Sequence, residues 1–237
     1  RRGVYYLVHS EFAEIGGESV KVVQKLVPPS KYSIKCPYPM VPEFIVVHNT
    51  ANDASAANEV AYMIRNDNQV SFHYAIDDKE IVQGIPENRN AWHAGDGASG
   101  KGNRKGLSIE ICYSKSGGKR FEEAEKLAAK FIASKIKEKG WGIDKVKKHQ
   151  DFSGKYCPHR TLDMGWQRFL DMVKSELDKL KGVATVEEKN VPSSWAKEAW
   201  EWAKKEGITD GARPKDTMTR EEMITMLHRY HKKVVQK

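Results

Sequence analysis

The stretch KKHQDFSGKYCPHR, Lys147 to Arg160, carries His149, Lys155 and Cys157 in close succession. Two readings compete for it: a basic surface loop, or one half of a metal site. His149 and Cys157 are eight positions apart, with Asp151, Gly154 and Pro158 supplying turn chemistry around them. Such a loop can bring an imidazole nitrogen and a thiolate sulfur to one point. Zinc favours that donor pair, and a catalytic zinc takes three protein ligands while leaving a fourth position to water. The third ligand then comes from far away in sequence. His48 fits, because it lies at the end of the apolar run EFIVVHNT (43–50), and a strand terminus fixes a side chain firmly. Eight histidines in the chain make a chance neighbour of a cysteine common, so spacing alone leaves the loop reading open.

Outward from these two anchors the chain alternates strands and helices. DASAANEVAYMIRN (53–66) has Ala56, Val60, Met63 and Ile64 at helical spacing, with Asp53 or Ser55 as N-cap. VSFHYAID (70–77) and EIVQGI (80–85), separated by a turn at Asp77-Asp78-Lys79, read as a hairpin. GLSIEICY (106–113) alternates. It puts Leu107, Ile109 and Ile111 on one face and Ser108, Glu110 and Cys112 on the other. Phe121 to Lys139 is the clearest amphipathic helix and stops at Gly140; GWQRFLDMVKSELDKL (165–180) is another. These elements indicate an α/β fold, a central mixed β-sheet flanked by helices. The proline-punctuated LVPPSKYSIKCPYPMVP (26–42) leads into it, and residues 1–21 form an N-terminal extension without a usable pattern.

The pattern breaks over 181–191, which reads as a linker. Residues 192–237 then form a small helical module, with Trp195, Trp200 and Trp202 in its first helix and a Thr219-x-x-Glu222 capping box opening its second. The catalytic domain accordingly spans 22–180.

Composition narrows the function. At 237 residues, 39% hydrophobic and 30% charged, the chain is globular. A net charge of +8 favours polyanionic partners, including a bacterial wall with its carboxylates and phosphates. No arginine-rich run or nucleic-acid-binding motif is present, which excludes nucleic acid as the leading partner. No run approaches the length of a membrane span, so insertion is not expected. Three cysteines, Cys36, Cys112 and Cys157, are too few for a disulfide framework and leave room for one working thiolate.

The ordered motifs FIVVHNTAN, SFHYAIDD, NAWHAGDG, LSIEICYSKSGG and HQDFSGKYCPHR resemble the N-acetylmuramoyl-L-alanine amidases of the phage lysozyme and peptidoglycan recognition protein superfamily, most of all Gram-positive endolysins. The likeness covers about residues 25–177. It implies a zinc enzyme that cleaves between N-acetylmuramic acid and L-alanine. It also implies His48, His149 and Cys157 as the zinc ligands, Glu110 as acid/base and Lys155 as oxyanion stabiliser. Without the resemblance, an exposed strand glutamate paired with a lysine is the preferred reading of Glu110, and a solvated lysine in a basic loop reads equally well for Lys155. Trp92 and His93, with Asn49 and Phe72, are candidates to line the substrate groove. Several relatives carry a catalytic tyrosine where this chain has Phe72, which has no proton to give. In a regular strand Phe72 and Tyr74 share a face, but that does not put Tyr74 at the same depth, so the role is not transferred.

The C-terminal module resembles, more loosely, a single surface-layer-homology repeat, which implies attachment to anionic wall polymers. A non-catalytic peptidoglycan binder and a zinc peptidase cutting within the stem peptide are the competing functions. The apolar core of RRGVYYLVHSEF stops after five residues, short of a secretory signal. The expectation is a lysin made in the host cytoplasm and released to the wall through a holin-type lesion, with non-classical secretion of an autolysin as the alternative.

Overall fold

A computed structural model of the chain describes residues 8–15, 17–182, 191–212, 214–215 and 217–235. Residues 1–7 of the expected extension and 183–190 of the expected linker lie outside these. The chain divides into two units, residues 1–180 and 181–237.

The first unit is built on a seven-stranded sheet in the order β1-β2-β5-β4-β6-β3-β7. The strands are β1 Val8–Ile15, β2 Glu18–Lys25, β3 Phe44–Asn49, β4 Tyr74–Ile76, β5 Glu80–Gln83, β6 Gly106–Ile111 and β7 Val146–Lys148. The helices are α1 Tyr32–Lys35, α2 Ala56–Arg65, α3 Lys101–Lys105, α4 Gly118–Lys139, α5 Gln150–Ser153, α6 His159–Asp163 and α7 Trp166–Leu180. β1 with β2 and β4 with β5 pair antiparallel. β2 with β5, β4 with β6, and β3 with both β6 and β7 pair parallel, so the sheet is mixed as expected.

Two expectations need correction here. The N-terminal extension is not featureless: β1 and β2 form a hairpin that joins the sheet through β5, and the boundary drawn between residues 21 and 22 falls inside β2. Val20 and Val23 are buried, so this hairpin contributes to the same core. Secondly, Phe72 and Tyr74 do not share a face. Regular strand geometry begins only at Tyr74, whose ring packs against Phe131 of α4 while its hydroxyl donates to Glu87 at 2.8 Å. Phe72 lies before the strand and meets Met63 of α2 through its backbone N–H.

The layers follow the predicted faces. Ile109 is in register with Tyr74, so the β6 face carrying Leu107, Ile109 and Ile111 looks toward α4, and α7 packs on α4. All three side chains are fully buried. Ser55 caps α2 by accepting from the Asn58 N–H. Gly140 ends α4 in the left-handed conformation, at φ 65°, where a Cβ would cost about 1–2 kcal/mol. α1 serves the other end of α2. Lys31 donates to the carbonyls of Ile64 and Arg65, and the fully buried Lys35 holds Asn66, Asn68 and Val70, so two cations satisfy the last turn and fix the segment after it.

The second unit contains helices Lys197–Lys205 and Arg220–Tyr230, the latter opened by the expected box between Thr219 and Glu222. Trp202 and Tyr230 meet edge to face. Ile208 is its one buried apolar side chain among the described residues, and Trp195 is 87% exposed.

Candidate active site

Three neighbouring parallel strands end at one edge of the sheet, and each delivers a candidate residue there. His48 is the fifth residue of β3, and its Cα partner on β6 is Glu110. On the other side β7 runs alongside β3, and the ladder continues one residue further through the His149 N–H to the Val47 carbonyl at 3.3 Å. Glu110, His48 and His149 therefore lie side by side at the carboxyl ends of parallel strands, the edge where open α/β sheets bind ligands.

Cys157 arrives by a loop folded back on itself. Gln150 N–H donates to the Cys157 carbonyl at 3.0 Å, Gly154 turns the chain at φ 74°, and Phe152 stacks on Phe44 of β3 with ring centres 5.4 Å apart. The end of the loop is clamped by Asn49. Its Oδ1 accepts from the N–H groups of Arg160 and Thr161 at 3.0 and 3.2 Å, and its Nδ2 donates to the Thr161 hydroxyl at 3.4 Å. α6 begins at Pro158, which has no side-chain acceptor, so Asn49 caps that helix from a different element.

The result is a buried triad. Ligand atoms of His48, His149 and Cys157 all lie within 4.8 Å of one another. His48 Nδ1 is 3.0 Å from His149 Nδ1 and 3.9 Å from Cys157 Sγ. Tetrahedral zinc, with Zn–N near 2.05 Å and Zn–S near 2.3 Å, requires about 3.3 Å between two nitrogens and about 3.6 Å between nitrogen and sulfur. The observed separations bracket those values, and the two imidazoles with one thiol are a donor set that zinc favours. These residues fit a metal ion.

The electrostatics agree. Burial first, then neighbouring positive charge, pushes the pKa of His48 and of His149 below the ordinary value, so both imidazoles are neutral near pH 7, the form that ligates metals. Burial and the nearby Glu110 push the Cys157 thiol up to about 11. A thiol in that position becomes a thiolate when a cation replaces its lost hydration. His48 Nε2 lies 3.0 Å from His93 Nδ1, which fixes the ring with Nδ1 toward Cys157.

Glu110 is raised to about 8, first by burial and then by Glu59, with Lys155 opposing. Its Oε2 is buried without a partner. The charge of Lys155 is felt at His48, His149, Glu110 and Cys157, although its own side chain is exposed. A cleft of about 630 Å³ runs from Glu110 and Thr50 along α2 to Arg65, Asn66 and Asn68.

Of the four expected groove residues, only Phe72 lines this cleft. Trp92 donates its indole N–H to the Ile34 carbonyl and meets Tyr38 edge to face, anchoring the entry segment. His93 is buried behind His48, and Asn49 is the clamp described above. All three sit where a side chain orients a neighbour. Glu59 and Asn52, both lining the cleft, were not singled out by the sequence: a glutamate on an amphipathic helix reads as solvated until the facing strand is known.

The profile of the N-acetylmuramoyl-L-alanine amidase family matches residues 38–160. The N-acetylmuramoyl-L-alanine amidase CwlA of Bacillus subtilis (strain 168) is 52% identical over 217 residues, covering 89% of this chain and 78% of its own length. XlyB of the same organism is 56% identical over 178 residues, 74% of this chain and 55% of that amidase. Among solved structures, the PlyG catalytic domain is 54% identical with a TM-score of 0.63, covering 66% of this chain and 94% of that one.

Proposed function

Because the chain belongs to the N-acetylmuramoyl-L-alanine amidase family, we propose that it is a zinc-dependent endolysin. In this reading it hydrolyses the amide between the lactyl group of N-acetylmuramic acid and the L-alanine of the stem peptide. The observation that carries it is the buried convergence of His48, His149 and Cys157 beside Glu110. Zinc held by those three would lower the pKa of a water and polarise the scissile carbonyl.

The remaining work falls to side chains. Glu110, with a pKa near 8 and an unpartnered Oε2, can take a proton from water and give it to the departing alanine nitrogen. Lys155 contributes positive charge where oxygen becomes negative. His93 holds the tautomer of His48, and Asn49 holds the loop that carries Cys157. Phe72 cannot replace Glu110 as proton donor, and Tyr74 is turned toward α4.

We read residues 181–191 as a linker and the helical unit from 192 as a wall-attachment module. Its support is the loose repeat likeness and the chain's excess positive charge. No helix among the described residues is long and apolar enough to cross a membrane. Release through a holin-type lesion would bring such an enzyme to the wall.

The test is to digest purified Gram-positive sacculi and identify new amino termini with and without a zinc chelator. New N-terminal alanine that vanishes with chelator is expected. A different new amine would move the cut into the stem peptide. Protein that pellets with sacculi and releases no amine would be a binding protein.

A further inference from the structure

The cleft beside Glu110 contains a second carboxylate that the reaction does not use. Glu59, in the first turn of α2, lines the same cavity. It is aimed there by Asn52, whose Nδ2 donates to Oε1 while its own Oδ1 accepts from the Ala54 N–H at 2.8 Å. Glu110 and Glu59 are the only acids in the lining among the described residues, and burial raises the pKa of both. Two carboxylates facing one partly enclosed space repel, and an ammonium between them relieves that repulsion more strongly than it would in open water.

The other lining groups suit a peptide. Asn58 and Asn68 offer amides to a backbone, and Phe72 offers an apolar surface. Arg65 is the only cation in the lining among the described residues. It follows Glu59 by six residues on α2, about 9 Å along the axis. The acids of the cleft thus lie at one end of α2 and Arg65 at the other, an arrangement that directs a peptide amine to Glu59 rather than to the Arg65 end. In the wall, the un-cross-linked stem peptide has one side-chain amine, on its diamino residue.

Resting on the amidase reading, we propose that Glu59 is a specificity-determining residue that receives the side-chain ammonium of the stem peptide's diamino residue, with Asn52 positioning it. The experiment compares wild type with Glu59→Gln on two soluble N-acetylmuramoyl peptides, one with that amine free and one with it acetylated. Acetylation should lower the wild-type kcat/KM roughly five- to tenfold, mainly through KM, as expected for a partly shielded ion pair. Glu59→Gln should lose the same factor on the free amine and little or nothing further on acetylation. Asn52→Ala should fall between the two.

Equal loss on acetylation in both proteins would overturn the assignment. So would a Glu59→Gln variant that is slowed equally on both substrates, because Glu59 would then act through the fold or through Glu110. If wild type releases no N-terminal alanine from either substrate, the amidase reading itself has failed. The same four-way comparison of dissociation constants by calorimetry then decides the role of Glu59 on its own.

Discussion

Replacing Asn49 with alanine removes the clamp that joins the two halves of the triad. The side chain accepts from the N–H groups of Arg160 and Thr161 and donates to the Thr161 hydroxyl. Those two N–H groups belong to the first turn of α6, and Pro158 offers them no substitute. Thr161 is fully buried and Arg160 half-buried, so water reaches one donor poorly and the other in part. An unsatisfied buried polar group costs about 1–3 kcal/mol and a lost N-cap about 1 kcal/mol. Together they give a loss of about 2–4 kcal/mol. For a domain of this size that lowers Tm by roughly 5–15 °C. Cys157 directly precedes Pro158, so the loop carrying it loosens as well, and zinc affinity should fall about ten- to a hundredfold, as for other groups that hold ligands in place. Asn49→Asp keeps the acceptor oxygens and should recover most of the melting temperature. Circular dichroism melts and a competitive zinc titration on the three proteins make the test. A Tm for Asn49→Ala within about 1 °C of wild type would refute the cap argument. A lowered Tm with unchanged zinc affinity would separate the clamp from the metal loop.

Cys157→Ser should lose bound zinc and hydrolysis together, because a hydroxyl is a poor thiolate substitute at neutral pH; metal analysis showing full zinc content with full activity would remove Cys157 from the ligand set. Glu110→Gln should keep its zinc and still sediment with sacculi while turnover falls about 10²–10⁴-fold; turnover near wild type would mean that another group moves the proton. Glu87 gives a stability prediction. Burial pushes its pKa up, but Lys135, Lys139 and the Tyr74 hydroxyl outweigh this and hold it at about 2, against 4.5 ordinarily. Between those values the unfolded chain binds more protons than the folded one, so stability rises with pH through the window. Glu87→Gln should then cost on the order of 2–3 kcal/mol at neutral pH, the gap closing as pH falls from about 4.5 toward 2, and urea unfolding of both proteins across that range would show a constant gap if the reasoning is wrong.

The elements that could be read directly are those whose own periodicity marks out two faces. β6 alternates Leu107, Ile109 and Ile111 against Ser108 and Glu110, and the face assignment of Glu110 follows from that alone. α4 and α7 carry stripes long enough to leave no competing reading. β7 was not legible, because Val146-Lys147-Lys148 has neither length nor apolar alternation and becomes a strand only through its pairing with β3. The β1–β2 hairpin was missed because its place in the sheet depends on the parallel contact with β5, some sixty residues away. Alternation puts Phe72 and Tyr74 on one face only where regular strand runs through both, and here it begins at Tyr74.

The site shows the same limit at finer scale. His48, His93 and His149 are all buried, and residue type does not say which binds and which supports. The ring nitrogens distinguish them. Nδ1 of His48 faces His149 and Cys157, and Nε2 faces Nδ1 of His93. A lone pair on the Nδ1 that faces the triad requires the proton on Nε2, and His93 can accept that proton only through an unprotonated Nδ1. Burial, the first cause of the lowered pKa of His93, keeps that ring neutral and able to accept. His93 is therefore a support because it was desolvated behind His48, and a groove role for it would have needed exposure that the fold does not give it. Trp92 and Asn49 follow the same logic: each has chemistry that could touch a substrate, and each spends it on a neighbouring backbone. Glu110 Oε2 is buried without a partner at the head of the cleft, and that placement exists only after the strands have paired.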